Sequence, residues 1–264
     1  MPTSDTAFTG SIPAIYDRCL GPLLFEPYAA EVAARARRLA PSRILETAAG
    51  TGIVTAALHT ALPKAAIVAT DLNPAMLEVA AGRIDSPNVT FQPVDAQALP
   101  FEDGAFDLVV CQFGVMFFPD RVAANAEACR VLSEGGRYMV LIWDRIDRNP
   151  ASLAIHDAVA ACFPDDPPGF LARTPFGYHQ AERIEADLHA AGFASVEIET
   201  VALQGRSVSA RDAATGMCTG SPLRGEIEAR DPAALDSVVD RATAAVERLG
   251  EWSALSALIA TATK

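Results

Sequence analysis

The chain lacks a membrane-length apolar run, a paired-cysteine motif and any basic stripe. Half of its 264 residues are hydrophobic, yet charged residues interrupt the apolar stretches before they reach the roughly 20 residues that a bilayer-spanning helix needs. The start Met1-Pro2-Thr3-Ser4-Asp5 has neither the basic nor the apolar region of a secretory leader, so a cytoplasmic location is expected. Cys19, Cys111, Cys129, Cys162 and Cys218 lie far apart with no C-x-x-C pair, and His59, His156, His179 and His189 show no ligand spacing. Neither a disulfide framework nor a metal site is indicated. Acidic residues outnumber basic ones by 33 to 21, for a formal charge of −12. Binding a phosphate backbone needs basic groups that displace counterions, and an anionic membrane makes the same demand. Nucleic acid and membrane are therefore not expected partners.

What the chain does have is an alternation of short apolar runs and helical patterns. Ile44-Leu45-Glu46-Thr47-Ala48-Ala49-Gly50-Thr51-Gly52 reads as a strand that ends in a carboxylate and enters a turn of small residues. Such a turn lets backbone pass close to a ligand with no side chain in the way. Val68-Ala69-Thr70-Asp71 is a second apolar strand ending in a carboxylate, where a nucleotide ribose needs its hydroxyls held. A third strand runs from Val89 to Asp95, and a turn at 99–105 feeds a buried fourth that ends at Cys111. A fifth, 136–143, follows a helix that Ser133-Glu134-Gly135-Gly136 terminates, the glycines supplying a left-handed end. Residues 10–19 read as loop. Helices are expected over 23–39, 53–60, 74–84, 120–132, 180–191, 210–217 and 233–249, with further strands over 196–203 and 255–263. Asn73 suits a cap and Pro74 a first helical position. The order strand, helix, strand implies an α/β fold with a mainly parallel sheet. The G-x-G-x-x-G spacing of dinucleotide folds is absent, which weakens an NAD(P)-dependent oxidoreductase reading.

Counted from Glu46, the pattern E-x-A-A-G-x-G resembles motif I of the class I S-adenosylmethionine-dependent methyltransferases. Its two alanines are similar to the branch related to ubiquinone/menaquinone biosynthesis methyltransferases. The resemblance is strong over residues 43–143 and weaker on the flanks. It implies a Rossmann-like sheet of seven strands, mainly parallel with an antiparallel C-terminal edge strand, helices on both faces and helical lid insertions. One methyltransferase domain over 1–264 is expected, with 145–178 and 207–249 as lid or substrate insertions that cover the cofactor.

The resemblance also implies S-adenosyl-L-methionine as methyl donor, S-adenosyl-L-homocysteine as product and a set of cofactor-binding residues. Glu46 would neutralise the amino group of the methionine moiety or order the glycine turn, which Ala48 and Gly50 keep free of bulk. Asp71, with two acceptor oxygens, would receive both ribose hydroxyls. Leu72 and Met76 would flank the adenine, and Asp95, Ala96 and Gln97 would meet its edge. Cys111 and Gln112 would offer backbone groups to the methionine portion, and Tyr16 would close over the cofactor.

The chemistry implied is one in-line methyl displacement onto a small organic acceptor. His156 and His179 are the candidate bases for an acceptor of high pKa, but their distance from any acceptor is not written in the sequence, so no catalytic residue is assigned. Phe117, Phe118, Phe163, Phe170, Phe176 and Tyr178 would suit either an apolar pocket for a hydrophobic or aromatic acceptor or the core of a lid. A noncatalytic S-adenosylmethionine-binding regulatory protein is the alternative from another class, and a homodimer stays open.

Overall fold

The computed structural model describes residues 5, 10, 12–206 and 209–264. Residues 1–4 and Ser207, which figure in the sequence reading, lie outside the described residues, as does Ser11. In chain order the elements begin with α1 (Ile12–Ile15), a π-helical stretch (Tyr16–Phe25), α2 (Glu26–Leu39), β1 (Arg43–Thr47), α3 (Ile53–Ala61), β2 (Ala66–Asp71), α4 (Pro74–Arg83) and β3 (Val89–Pro93). Next come β4 (Phe106–Gln112), α5 (Arg121–Val131), β5 (Leu132–Trp143), α6 (Pro150–Cys162), α7 (Phe170–Arg173), α8 (Ala181–Ala190) and β6 (Ser195–Gln204). The series closes with α9 (Ala210–Thr219), α10 (Leu223–Arg230), α11 (Leu235–Glu247) and β7 (Ala254–Thr263).

The chain divides into two compact units. One comprises residues 28–143, 178–201 and 257–264, and the other 144–177, 202–256 and the described part of 1–27. The first is built on the sheet, whose order is β3-β2-β1-β4-β5-β7-β6. The first five strands in that order run parallel to one another. Leu108, Val109, Val110 and Cys111 are consecutive and all fully buried, so both faces of β4 are covered, as a parallel strand requires. β7 runs antiparallel to β5, with Val140 opposite Ala260. It is the expected antiparallel C-terminal strand, set one place in from the edge, with β6 outside it.

Several expectations need correction. Residues 12–19 are helical, because Ile12, Cys19 and Leu20 supply buried apolar anchors. From Tyr16 to Phe25 the chain winds as a π-helix that contains Pro22, and the Glu26 N–H donates to the Gly21 carbonyl; the wider turn accommodates a ring that would clash in an α-helix. The glycines at 135–136 do not end a helix. α5 stops at Val131, and β5 already starts at Leu132. From Phe106 to Leu108 is two residues, while their partners Leu132 and Arg137 are five apart. The excess is taken up in a bulge where Gly135 has φ of 73°. Pro74 occupies the first turn of α4 as expected, but the Asn73 side chain makes no cap bond. It points instead to Asp71 Oδ1, 3.4 Å away. α10 is a helix beyond those expected between 210 and 249, with Pro222 at its N-cap.

The second unit is helical. α9 packs on the π-helical stretch and on α11, and α11 on α6. Gly216 permits the close approach, since a Cβ there would lie 2.5 Å from Leu20 Cδ2. The residues expected as insertions supply α6, α7, α9, α10 and α11 to this unit.

Candidate nucleoside site

β1 lies between β2 and β4, so the chain winds outward through β2 and β3 and then returns to the other side of β1. Ligands of open α/β sheets bind at such a switch point, beyond the carboxyl ends of the strands. The turn that follows β1 occupies this place. Ala48, Gly50 and Gly52 all have left-handed backbone, with φ of 53°, 57° and 77°. A Cβ on Gly52 would come within 2.8 Å of Ala80 Cβ, so that glycine brings the turn against α4.

Asp71 holds the turn. The Gly50 N–H donates to its Oδ2 at 2.9 Å and the Asn73 N–H to its Oδ1 at 2.8 Å. One residue earlier, the Ala49 N–H donates to the Thr70 carbonyl at 2.9 Å. The Gly50 donor thus goes to Asp71 rather than to Glu46. Burial raises the Asp71 pKa, opposed by bonds from the backbone of Asn73 and Gly50, the Asn73 side chain and the Leu72 backbone. Oδ1 takes both the Asn73 N–H and, at 3.4 Å, its side-chain amide, while Oδ2 takes the Gly50 N–H and keeps a second lone pair for a hydroxyl donor.

Glu46 is 1% exposed, and its Oε2 accepts the Thr55 hydroxyl at 2.6 Å. Burial pushes its carboxyl up to about 8; the Thr55 bond opposes this and the charge of Asp71 adds to it. Thr55 was missed in the sequence, where its only signal is a hydroxyl at the start of the helix after the turn. Thr51 was missed as well: its Oγ1 is buried without a hydrogen-bond partner among the described residues.

Leu72 and Met76 do not share one environment. Leu72 is 50% exposed, whereas Met76 is buried, with Cε 3.6 Å from where a Cβ on Gly50 would lie. Asp95 lies in the turn after β3. The Val94 N–H donates to the Asp71 carbonyl at 3.0 Å, so this turn starts beside Asp71. The exposed Asp95 carboxylate accepts the Gln97 backbone N–H at 2.9 Å and its side-chain amide N–H at 3.1 Å, and the Gln97 side-chain Oε1 accepts the Asp120 N–H at 3.0 Å. Ala96 between them is buried. At the end of β4, Cys111 is buried and its thiol is pushed up to about 11 by burial, which leaves it unreactive near neutrality; Gln112 is partly exposed.

All of these residues belong to the sheet unit. Tyr16 belongs to the helical unit, where its ring stacks on Phe25 at 4.7 Å. His156 is on α6 of the helical unit and His179 precedes α8 in the sheet unit; both are half-buried. Of the six aromatics suited to a pocket or a lid core, Phe170, Phe176 and Tyr178 are core residues, while Phe117, Phe118 and Phe163 are partly exposed. Among the described residues, no group of three His, Cys, Asp or Glu side chains is placed to hold a metal ion, and no helix is long and apolar enough to cross a membrane.

The donor set suits a nucleoside. A buried carboxylate with spare acceptor capacity, a turn without side-chain bulk, an exposed leucine and a polar turn at the next strand end match sugar, backbone approach, ring face and ring edge.

A family model described as a methyltransferase domain matches residues 44–136. A demethylmenaquinone methyltransferase of Thermus thermophilus is 44% identical over 104 residues, 39% of this chain and 47% of that protein. A ubiquinone/menaquinone biosynthesis C-methyltransferase of Methylobacterium nodulans is 39% identical over 135 residues, 48% of this chain and 51% of its own length. The chain thus spans about half the length of the curated relatives it matches. Among solved structures, a Haemonchus contortus phosphoethanolamine N-methyltransferase 2 in complex with S-adenosylhomocysteine is similar with a TM-score of 0.60 and 18% identity, over 96% of this chain and 56% of that one. The [4+2]-cyclase SpnF is similar with a TM-score of 0.61 and 20% identity, over 100% and 96%. At these identities the structures speak to fold alone. The family match covers residues 44–136, so the likeness to methyltransferases is a likeness of that stretch of the chain.

Proposed function

We propose that the protein binds S-adenosylmethionine beyond the ends of β3, β2 and β1 and transfers its methyl group to a small organic acceptor, leaving S-adenosylhomocysteine. The observation that carries this reading is the buried Asp71 carboxylate, fixed by the N–H groups of Gly50 and Asn73 with Oδ2 still able to accept. Asp71 takes the two ribose hydroxyls. Asp95, Ala96 and Gln97 meet the adenine edge, and Leu72 and Met76 its surroundings. Glu46 faces the amino group of the methionine portion, and Cys111 and Gln112 bound that portion on the β4 side.

The bound cofactor supplies a methyl already activated by positive sulfur. The protein's part is then chiefly alignment of the acceptor, which contributes on the order of 7 to 11 kcal/mol in well-oriented reactions. We assign acceptor choice to residues outside the matched stretch 44–136. A hydrophobic or aromatic acceptor is the working choice, supported by a relative named for demethylmenaquinone.

Thermal-shift titration with S-adenosylhomocysteine, S-adenosylmethionine and NAD tests the first half. A native-state ligand at about 100 times its dissociation constant adds about 2.7 kcal/mol. Stabilisation by the two adenosyl ligands and not by NAD is expected, and stabilisation by NAD alone refutes the reading. Transfer of labelled methyl to a panel that includes a demethylmenaquinone analogue tests the second half. The similarity in fold to a [4+2]-cyclase favours keeping a second reading, nucleoside binding without methyl transfer; binding with no turnover on the whole panel selects it.

A further inference from the structure

Phe113 follows β4 directly and has a left-handed backbone, φ 56°, which a bulky residue adopts only when its surroundings enforce it. The enforcement is visible. Its N–H donates to the Leu141 carbonyl at 3.0 Å. Its ring lies parallel to Trp143, the centroids 3.7 Å apart, and Tyr28 meets both rings edge-on at 5.3 and 5.6 Å. Tyr28 is itself pinned, its hydroxyl donating to the Val201 carbonyl at 2.8 Å. All three rings are buried.

The next residue ties this turn to β1. A Cβ on Gly114 would lie 2.4 Å from Ala48 Cβ and 3.0 Å from Cys111 Sγ, so no other residue fits between the two strand ends. Ala48 is itself left-handed, at φ 53°. Two strained non-glycine residues thus sit at the ends of the neighbouring strands β1 and β4, joined through Gly114. Strain of this kind gathers where geometry has to be held for function.

The direction of the ligand gives the strain a purpose. On the reading proposed above, adenine lies at β3, ribose at β2 and the methionine portion at β1; the sheet order then puts β4 and β5 next. We infer that Phe113, clamped by Trp143 and Tyr28, is a positioning residue for the sulfur-bearing end of the ligand: it fixes the spacing of the β1 and β4 ends between which that end lies. The inference rests on the cofactor reading, but it concerns one end of the ligand only.

Isothermal titration with S-adenosylhomocysteine and with adenosine, which lacks the sulfur-bearing chain, separates the two. In Phe113→Leu, affinity for S-adenosylhomocysteine falls about tenfold, equivalent to about 1.4 kcal/mol, while adenosine binding is unchanged. Phe113→Tyr restores the stack and the affinity. Trp143→Phe keeps a ring under Phe113 and serves if Phe113→Leu does not fold; it weakens S-adenosylhomocysteine selectively and to a lesser degree. Equal weakening of both ligands, or no change in either, overturns the positioning role. A wild-type protein that binds neither ligand takes down the cofactor reading and this inference together.

Discussion

The Thr55 hydroxyl donates to Glu46 Oε2 at 2.6 Å in a place that solvent does not reach. That bond supports the carboxylate form, yet burial and the charge of Asp71 outweigh it and the Glu46 pKa stands at about 8. In the unfolded chain a glutamate titrates near 4.3. Between these values the native protein holds a proton that the unfolded chain has lost, so stability falls as pH rises through this window. One such group has a limiting slope of about 1.4 kcal/mol per pH unit. Urea unfolding of wild type and Glu46→Gln from pH 5 to 9 is expected to show a shallower decline in the variant. Asp71, also raised, leaves part of the decline in place. Parallel curves for the two proteins would remove Glu46 as the source.

Asp71 links the glycine turn to the proposed sugar site, so its loss is felt twice. In Asp71→Ala the Gly50 and Asn73 N–H groups lose their acceptor, at a cost of about 1–3 kcal/mol if either stays buried. Affinity for S-adenosylhomocysteine is expected to collapse in the same variant. Asp71→Asn, with one acceptor oxygen in place of two, is expected to recover more of the stability than of the binding. Urea titration paired with calorimetry reads both quantities; full binding by Asp71→Ala would contradict the assignment.

Gly52 combines a left-handed backbone with a crowded Cβ direction toward Ala80. Gly52→Ala is expected to destabilise the protein by about 1–3 kcal/mol, since strain and overpacking act together. Adding Ala80→Gly relieves the crowding but not the strain, so the double variant should lie between the single variant and wild type in urea midpoint.

In the helical unit, Asn149 bridges buried backbone: its Nδ2 donates to the Ser256 carbonyl at 3.1 Å and its Oδ1 accepts the Ser256 N–H at 3.1 Å. Asn149→Ala leaves both groups without this partner, and a loss of about 1–3 kcal/mol is expected. Asn149→Asp keeps the acceptor only and should recover part of it; a melting temperature unchanged in both variants would argue against the bridge.

The strand ends were legible because a parallel strand covered on both faces must be a nearly unbroken apolar run, and a carboxylate after such a run stands out. Glu46, Asp71 and the small-residue turn at Ala48 and Gly50 could be read in that way. That Asp71 rather than Glu46 ties down the turn could not, because the bond joins residues 21 positions apart through a packing arrangement. The π winding around Pro22 and the bulge at Gly135 were hidden for a related reason. Proline and glycine announce an irregularity, and tertiary packing decides whether it ends an element or bends one. Phe113 carries no local mark at all; its backbone is set by Trp143 and Tyr28, which are distant in the chain.

The placement of β7 fixes an order of assembly. Val140 and its partner Ala260 are 120 positions apart, and β6, made earlier, lies on the far side of β7. Until residues 254–263 leave the ribosome, β5 presents an unpaired apolar flank and β6 has nothing to join, the kind of exposed edge that recruits other chains. The nascent sheet is therefore vulnerable up to the arrival of its interior strand, and a chaperone that shields β5 during that interval would raise the yield of folded protein.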